Sequence, residues 1–524
     1  MKLIKLNRIS NNYPLILLYL LGFLHWYFFL NFKNVEFNFE DWSFYYQLYS
    51  AYKESISEFK IPYHVTLFKD EQIFQINEFV YMGRFFGNPW NILSPQTLLL
   101  LWIDVKAFIT FQYLFFYTLL FYGVIKFKKE LKLSLTATYF VLILCAFNGK
   151  LLSQTAVGGP QMSFGYMLIP LFFWAIYRFI KKTRYLNFYD HIKDCFKIGI
   201  LFFFILSQTD LHITYQMVVV SSLLVIFFPK KLFKFFLGGV ISLILSLWYL
   251  LPVFSFSKES TVLVDPENWR RYGINGYGSQ NGDSGKQIFE YLHLGFDAEN
   301  FLYFLLNIFK AIINIFGHIY ESLTKEFNIT AVNSHEYNLY ISSFGLLILV
   351  LSIIFIKIND NFLKNNLKRI LFSFFLLFLL AVGPTHKFII LQLNKIYLFN
   401  PVDAVPSRFM IYVFYAVVIF SGLGFDNFFN KIKFASNLIK NLSILIILIL
   451  LMSHSYEWWM FKTMENLNYD VNFIKDLKIY DNVEDVKYKK IVNISYIITF
   501  ISLTFSLWCY HKLKYKKFDT NKIN

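Results

Sequence analysis

The sequence predicts an all-α polytopic membrane protein, and three observations carry that reading. Of 524 residues, 56% are hydrophobic and 21% aromatic, more apolar surface than a soluble domain of this length can use. The apolar residues gather in about twelve separated runs near twenty residues long, the length that crosses a bilayer as a helix. Charged residues fall between the runs, and the basic clusters recur on alternate sides.

Taken in order, Lys2, Lys5 and Arg8 precede the first run, 13–32, and keep the N-terminus cytoplasmic. No small-residue cleavage site follows, so this run reads as a retained span and not a removed signal. The first exoplasmic segment, 33–103, comes next. Spans follow at 104–125, 133–148, 164–180, 196–208, 212–228 and 233–254. A large exoplasmic segment covers 255–337. Spans at 338–357, 370–384, 408–427 and 438–455 lead to a third exoplasmic segment, 456–490, and a last span at 491–510. Both termini then lie in the cytoplasm. The cytoplasmic loops are short, so residues 1–524 form a single membrane domain with its bulk on the outer side.

The formal net charge of +16 follows from this topology. Its basic excess sits in Lys126-Phe127-Lys128-Lys129, Lys181-Lys182-Thr183-Arg184, Pro229-Lys230-Lys231 and the tail from Lys512 to Lys517, all on the cytoplasmic side. These clusters also suit anionic lipid. Nucleic acid is not needed to explain them and is excluded as a partner. Cys145 and Cys509 fall in spans and Cys195 at a cytoplasmic edge, which implies neither a disulfide framework nor a thiolate metal site. Abundant Asn, Lys, Ile and Phe point to an AT-rich genome and so to a prokaryotic cytoplasmic membrane.

The first exoplasmic segment has structure of its own. From Asp41 to Lys60, Trp42, Tyr45, Tyr46, Tyr49, Tyr52, Ile56 and Phe59 recur at three and four residues, an amphipathic helix suited to the lipid interface. The stretch 83–90 reads as a loop. Ser94-Pro95-Gln96 caps a short apolar helix before the second span. In the second segment, 272–285 is rich in Gly, Asn and Ser, and 301–316 reads as a helix lying on the membrane.

Three groups of residues carry candidate chemistry. Glu40-Asp41 emerges just above the outer surface. Asp41 is read as a general base, with Glu40 assisting it or binding a divalent cation; the structural alternative is a helix cap. Arg84, Arg270, Arg271 and Arg408 are exoplasmic cations whose planar forks suit a phosphate; the alternative is an ion pair. Arg408 stands out because it opens a span, just after Pro406. Gln161, Asp210 and His212 lie in polar connections between spans, able to line a cavity and bind sugar hydroxyls, or simply to form a turn. No metal-binding motif appears, nor does a Gly-rich phosphate loop.

The acidic motif Glu40-Asp41-Trp42, the amphipathic helix after it, and many spans with a large exoplasmic loop past the middle resemble the GT-C superfamily of integral-membrane glycosyltransferases. Within it, Gly158-Gly159-Pro160-Gln161, Gln208-Thr209-Asp210-Leu211-His212 and Pro406-Ser407-Arg408-Phe409 leading to Gly422-Leu423-Gly424 are similar to bacterial YfhO-type membrane proteins. The resemblance implies a GT-C-like fold and a lipid-linked, polyprenyl-phosphate sugar donor. It also implies an inverting transfer with the first-loop acid as base. No resident cofactor is expected, a divalent cation at Glu40 aside. Only Asp41, with Glu40 beside it, is carried over; the arginines have no counterpart in the family pattern. The acceptor would be a glycan, a lipid or a protein. A transporter or flippase for lipid-linked saccharides, a polysaccharide polymerase or ligase, and a non-enzymatic assembly protein stand as alternatives. Few ionisable groups fall inside the spans, which favours chemistry at the outer face over transport.

Overall fold

Nearly every stretch described by the computed structural model is helical; it describes residues 13–31, 41–66, 85–87, 94–157, 159–182, 188–209, 211–256, 339, 341, 343–381, 406–431, 437–453, 478–480 and 485–520. The helices are α1 (Tyr13–Asn31), α2 (Asp41–Ser57), α3 (Val105–Leu131), α4 (Leu135–Ala146), α5 (Gly149–Val157), α6 (Pro160–Lys181), α7 (Phe188–Gln208), α8 (Leu211–Val225), α9 (Pro229–Leu245) and α10 (Leu247–Phe256). They continue with α11 (Ser343–Ile354), α12 (Asn361–Ala381), α13 (Met410–Lys431), α14 (Asn437–Ser453) and α15 (Val486–Thr520). A helix lies over each apolar run read from the sequence. Among the described residues six spans are long and apolar enough to cross a membrane, or seven when the bent pair α9–α10 counts as one; α4 and α5 together make one of the six. The protein is an integral membrane protein.

Local chemistry sets the helix ends. Asp104 caps α3 by accepting the Ala107 amide at 2.7 Å, and Lys132 ends it in the left-handed conformation, at φ 56°. Ser134 caps α4 through the Ala137 amide at 3.1 Å and is itself held by Asp426 on α13. Asp360 caps α12 through the Leu363 amide at 3.0 Å.

Glycines set how closely the helices approach. A Cβ on Gly123 of α3 would lie 2.5 Å from the Leu171 nitrogen of α6, so these helices touch backbone to backbone. Gly424 meets the Ser352 carbonyl in the same way, which gives the Gly422-Leu423-Gly424 stretch a packing role.

The bundle has two unlike ends. At the basic end Lys181 bonds Asp360 at 2.7 Å, Lys182 bonds Asp194 at 3.0 Å, and Arg178 meets Glu130 at 3.5 Å. The opposite end carries α2 and a two-stranded antiparallel ribbon, β1 (His64–Thr66) with β2 (Lys478–Tyr480), in which Val65 faces Ile479. The Tyr488 hydroxyl donates to the Tyr63 carbonyl at 3.0 Å and accepts the Phe86 amide at 2.8 Å. The described parts of the segments 33–103 and 456–490 thus form one layer. Strands of three residues carry no readable period, so the sequence gives no sign of the ribbon.

Candidate active site

The site is built around α5, the short helix between α4 and α6. Gly149 to Ala156 are all buried, yet the segment holds Lys150, Ser153, Gln154 and Thr155. Asn148 makes the break between α4 and α5 stable from both sides. Its amide nitrogen donates to the Cys145 carbonyl at 2.9 Å, while its oxygen accepts the Leu151 amide at 3.0 Å. The Tyr415 hydroxyl of α13 donates to the same Cys145 carbonyl at 2.8 Å. A helix end within apolar surroundings needs such partners for its backbone groups.

Lys150 is 1% exposed, and its ammonium lies 5.7 Å from the centre of the Tyr166 ring. From the sequence, 147–161 reads as a polar, Gly-rich connection between spans, in which Lys150 does not stand out. The available signal was Asn148 as a cap followed by Leu151, Leu152 and Ala156 at helical spacing.

The first-loop helix docks directly on α5. α2 begins at Asp41, and the next residue, Trp42, donates its indole N–H to the Thr155 carbonyl at 2.8 Å. Trp42, Tyr45, Leu48 and Tyr49 are buried in the protein core. Most of the aromatic face expected at the lipid interface therefore faces protein, while Phe59, beyond the end of α2 at Ser57, stays exposed. The physical reason is that α3 and α5 offer both apolar surface and hydrogen-bond partners. The Tyr49 hydroxyl donates to Gln112 at 3.1 Å and lies against Gln161. Burial pushes this phenol well above its ordinary pKa, although Gln112 and Gln161 pull the other way. Gln161, expected to line a sugar cavity, is thus placed between α2 and α6.

Gly159 belongs to the same arrangement. A Cβ there would fall 1.9 Å from the Gln154 amide nitrogen, so glycine leaves room for that side chain. The Gln154 oxygen is buried with no hydrogen bond among the described residues, as is Nδ1 of His212.

A second first-loop contact reaches the turn between α7 and α8. Ser94 precedes a 3-10 helix over Pro95–Leu101 but makes no side-chain cap, and Gln96 donates to Gln208. Gln208 and Thr209 are buried, and His212 sits in the first turn of α8. Arg408 lies in the 3-10 turn Pro406–Phe409 that leads into α13 and is 3% exposed. Its neighbour Phe409 meets Tyr215 of α8, ring centres 6.2 Å apart. Asp41, Gln161, His212 and Arg408 therefore share one end of the bundle with Lys150. Glu40, Arg84, Asp210, Arg270 and Arg271 lie outside the described residues, as does the 301–316 segment.

Among the described residues no three His, Cys, Asp or Glu side chains cluster as a metal site. All three cysteines are free thiols, as the sequence implies. No family model matches the chain, and no curated protein or solved structure matches it either.

Proposed function

We propose that this protein is a membrane glycosyltransferase that moves a sugar from a polyprenyl-phosphate donor to an exoplasmic acceptor with inversion. In this reading the chain has twelve spans, both termini are cytoplasmic, and the end opposite the basic end faces outward. Asp41 takes the proton of an acceptor hydroxyl. The acceptor oxygen attacks the anomeric carbon from the face opposite the phosphate. The bond from that carbon to the phosphate oxygen breaks, and polyprenyl phosphate leaves with the electron pair. Arg408 and Lys150 offset the negative charge that gathers on the leaving oxygen. Glu40 assists Asp41, directly or through a divalent cation.

The observation that supports this best is the bond from Trp42 to Thr155. It fixes the start of α2 against a buried polar helix that carries the Lys150 cation, and also the Gln154 amide oxygen, which has no hydrogen bond among the described residues. An acid-bearing helix docked on a cationic, water-poor layer suits group transfer at the membrane surface.

One observation favours transport instead. The α4–α5 break, with Lys150 next to it, is the kind of interrupted helix that carriers use for binding. Purified protein in lipid vesicles separates the two. Radiolabelled hexoses on undecaprenyl phosphate supply the donor, and outer-face glycan the acceptor. Transfer that falls about 100-fold or more in Asp41→Asn, with donor binding kept, supports the enzyme. Movement of the lipid-linked sugar across the bilayer without transfer supports the carrier and overturns the proposal.

A further inference from the structure

Three helices bring lysines together at the basic end. α6 closes on its C-cap Lys182, α7 carries Asp194 and Lys197, and α9 opens with Lys231 and, a turn later, Lys234. Glycines let α7 and α9 touch. A Cβ on Gly238 of α9 would lie 3.1 Å from the Cys195 carbonyl of α7, and one on Gly199 of α7 would lie 3.1 Å from the Gly238 carbonyl. Asp194, next to Cys195, is the centre of the cluster, and its side chain is 5% exposed. Lys182 donates to both of its oxygens, at 3.0 and 3.2 Å, and Lys197 stands 3.7 Å away. Lys231 is 6% exposed; its ammonium donates to the Lys182 carbonyl and lies 5.3 Å from the centre of the Phe179 ring. Lys234 is within electrostatic reach of both Asp194 and Lys182.

Two features set this cluster apart from an ordinary basic surface. Lys231 is buried, and an ammonium taken out of water is costly unless negative charge gathers round it. Lys231 also lies in the first turn of α9, where the helix dipole adds positive charge, and that turn contains no acid. Among these five side chains Asp194 sets one negative charge against four lysines, a formal surplus of three positive charges. Asp190 and Lys193, on the same stretch of α7, cancel in that count. Lysine ammoniums are compact point charges that suit phosphate oxygens. A phosphate monoester carries close to two negative charges at neutral pH, whereas a carboxylate ligand offers one.

We infer that Lys182, Lys197, Lys231 and Lys234, gathered around Asp194, bind a phosphate monoester, carried by a lipid headgroup or free in solution. The site lies at the other end of α6 from Gln161, so it is separate from the proposed sugar-transfer site and does not depend on it.

The test uses the full chain in mild detergent and follows thermal unfolding. The lipid probes are phosphatidic acid, a monoester, and phosphatidylglycerol of equal chain length, a diester. The soluble probe is sodium phosphate, with sodium chloride at matched ionic strength as its control. A monoester should raise the melting temperature saturably. A rise with phosphatidic acid, at about tenfold lower concentration than phosphatidylglycerol, assigns the lipid headgroup. A rise with sodium phosphate beyond that with chloride assigns free phosphate. Lys231→Met and Lys234→Gln should each weaken the response about tenfold, the weight of one charge-assisted bond. Lys129→Gln, elsewhere at the same end, should leave it unchanged. Lys234→Gln carries the test if Lys231→Met does not fold. The inference is overturned by no saturable rise with either monoester, or by an unchanged response in Lys234→Gln. Equal action of the two lipids, with sodium phosphate no better than chloride, overturns it as well.

Discussion

Trp42 and Thr155 are joined by a 2.8 Å hydrogen bond from an indole nitrogen to a backbone carbonyl, across 113 positions of the chain. Trp42→Phe keeps most of the ring packing and removes the donor from a buried carbonyl. The expected loss is about 1–3 kcal/mol of stability, read as a lower melting temperature. Trp42→Ala adds a cavity and should cost about 3–5 kcal/mol. If Trp42→Phe unfolds at the wild-type temperature, the bond does not hold α2 in place.

The two buried cations at the α5 end of the bundle, Lys150 and Arg408, can be separated by kinetics. Arg408→Lys keeps charge and loses the planar fork, so transfer from polyprenyl-phosphate sugars should drop clearly, and Arg408→Ala should nearly abolish it. Lys150→Met keeps length and loses charge. Donor KM should rise about tenfold, the weight of one charge-assisted bond, while the melting temperature holds or rises, because a buried charge is costly to desolvate. A fall in melting temperature with unchanged donor KM would make Lys150 a structural ion instead.

Asp360 gives the basic end an acid-sensitive joint. Burial raises its carboxyl pKa, but the bond from Lys181 and the Leu363 amide outweigh burial and hold it below the ordinary 3.8. A lowered folded value means that the unfolded chain binds more protons in that window, so stability rises with pH. The contribution is complete above pH 3.8 and fades as pH falls through the lower folded value. Melting temperatures of wild type and Asp360→Asn, scanned between neutral pH and about pH 3, should differ most at neutral pH and converge in acid. A constant gap would place the effect in the helix cap alone.

Gly123 and Gly239 make a matched pair. Gly123→Ala places a Cβ 2.5 Å from the Leu171 nitrogen, against backbone that cannot rotate away. A loss of about 1–3 kcal/mol is expected. Gly239 has nothing within 4 Å of its built Cβ, so Gly239→Ala should be neutral or stabilising by up to about 1 kcal/mol. Equal melting temperatures for the two variants would show that α3 and α6 do not depend on close contact.

The long apolar runs were legible because hydropathy alone sets them, and α1, α3 and α13 fall where the sequence puts them. The start of α2 at Asp41 was legible too, from the three- and four-residue spacing of its aromatics. What those aromatics touch was not, since Trp42 facing lipid and Trp42 facing Thr155 leave the same periodicity. Lys150 escaped for a related reason. A lysine between two spans reads as a loop charge, and only the double cap by Asn148 reveals a buried helix there. The β1–β2 pairing depends on partners more than 400 positions apart, beyond any local pattern.

That pairing bears on biosynthesis. The Tyr63 hydroxyl ends on Asn493 at 2.6 Å, across 430 positions, and the ribbon beside it joins 64–66 to 478–480. A ribosome delivers Tyr63 to the membrane 430 residues ahead of Asn493. The earlier segment must wait at the membrane surface, its edge groups bonded to water, while the intervening helices are threaded in. This layer therefore locks only after α15 arrives, and a chain halted before that point keeps its earlier spans but lacks the clasp.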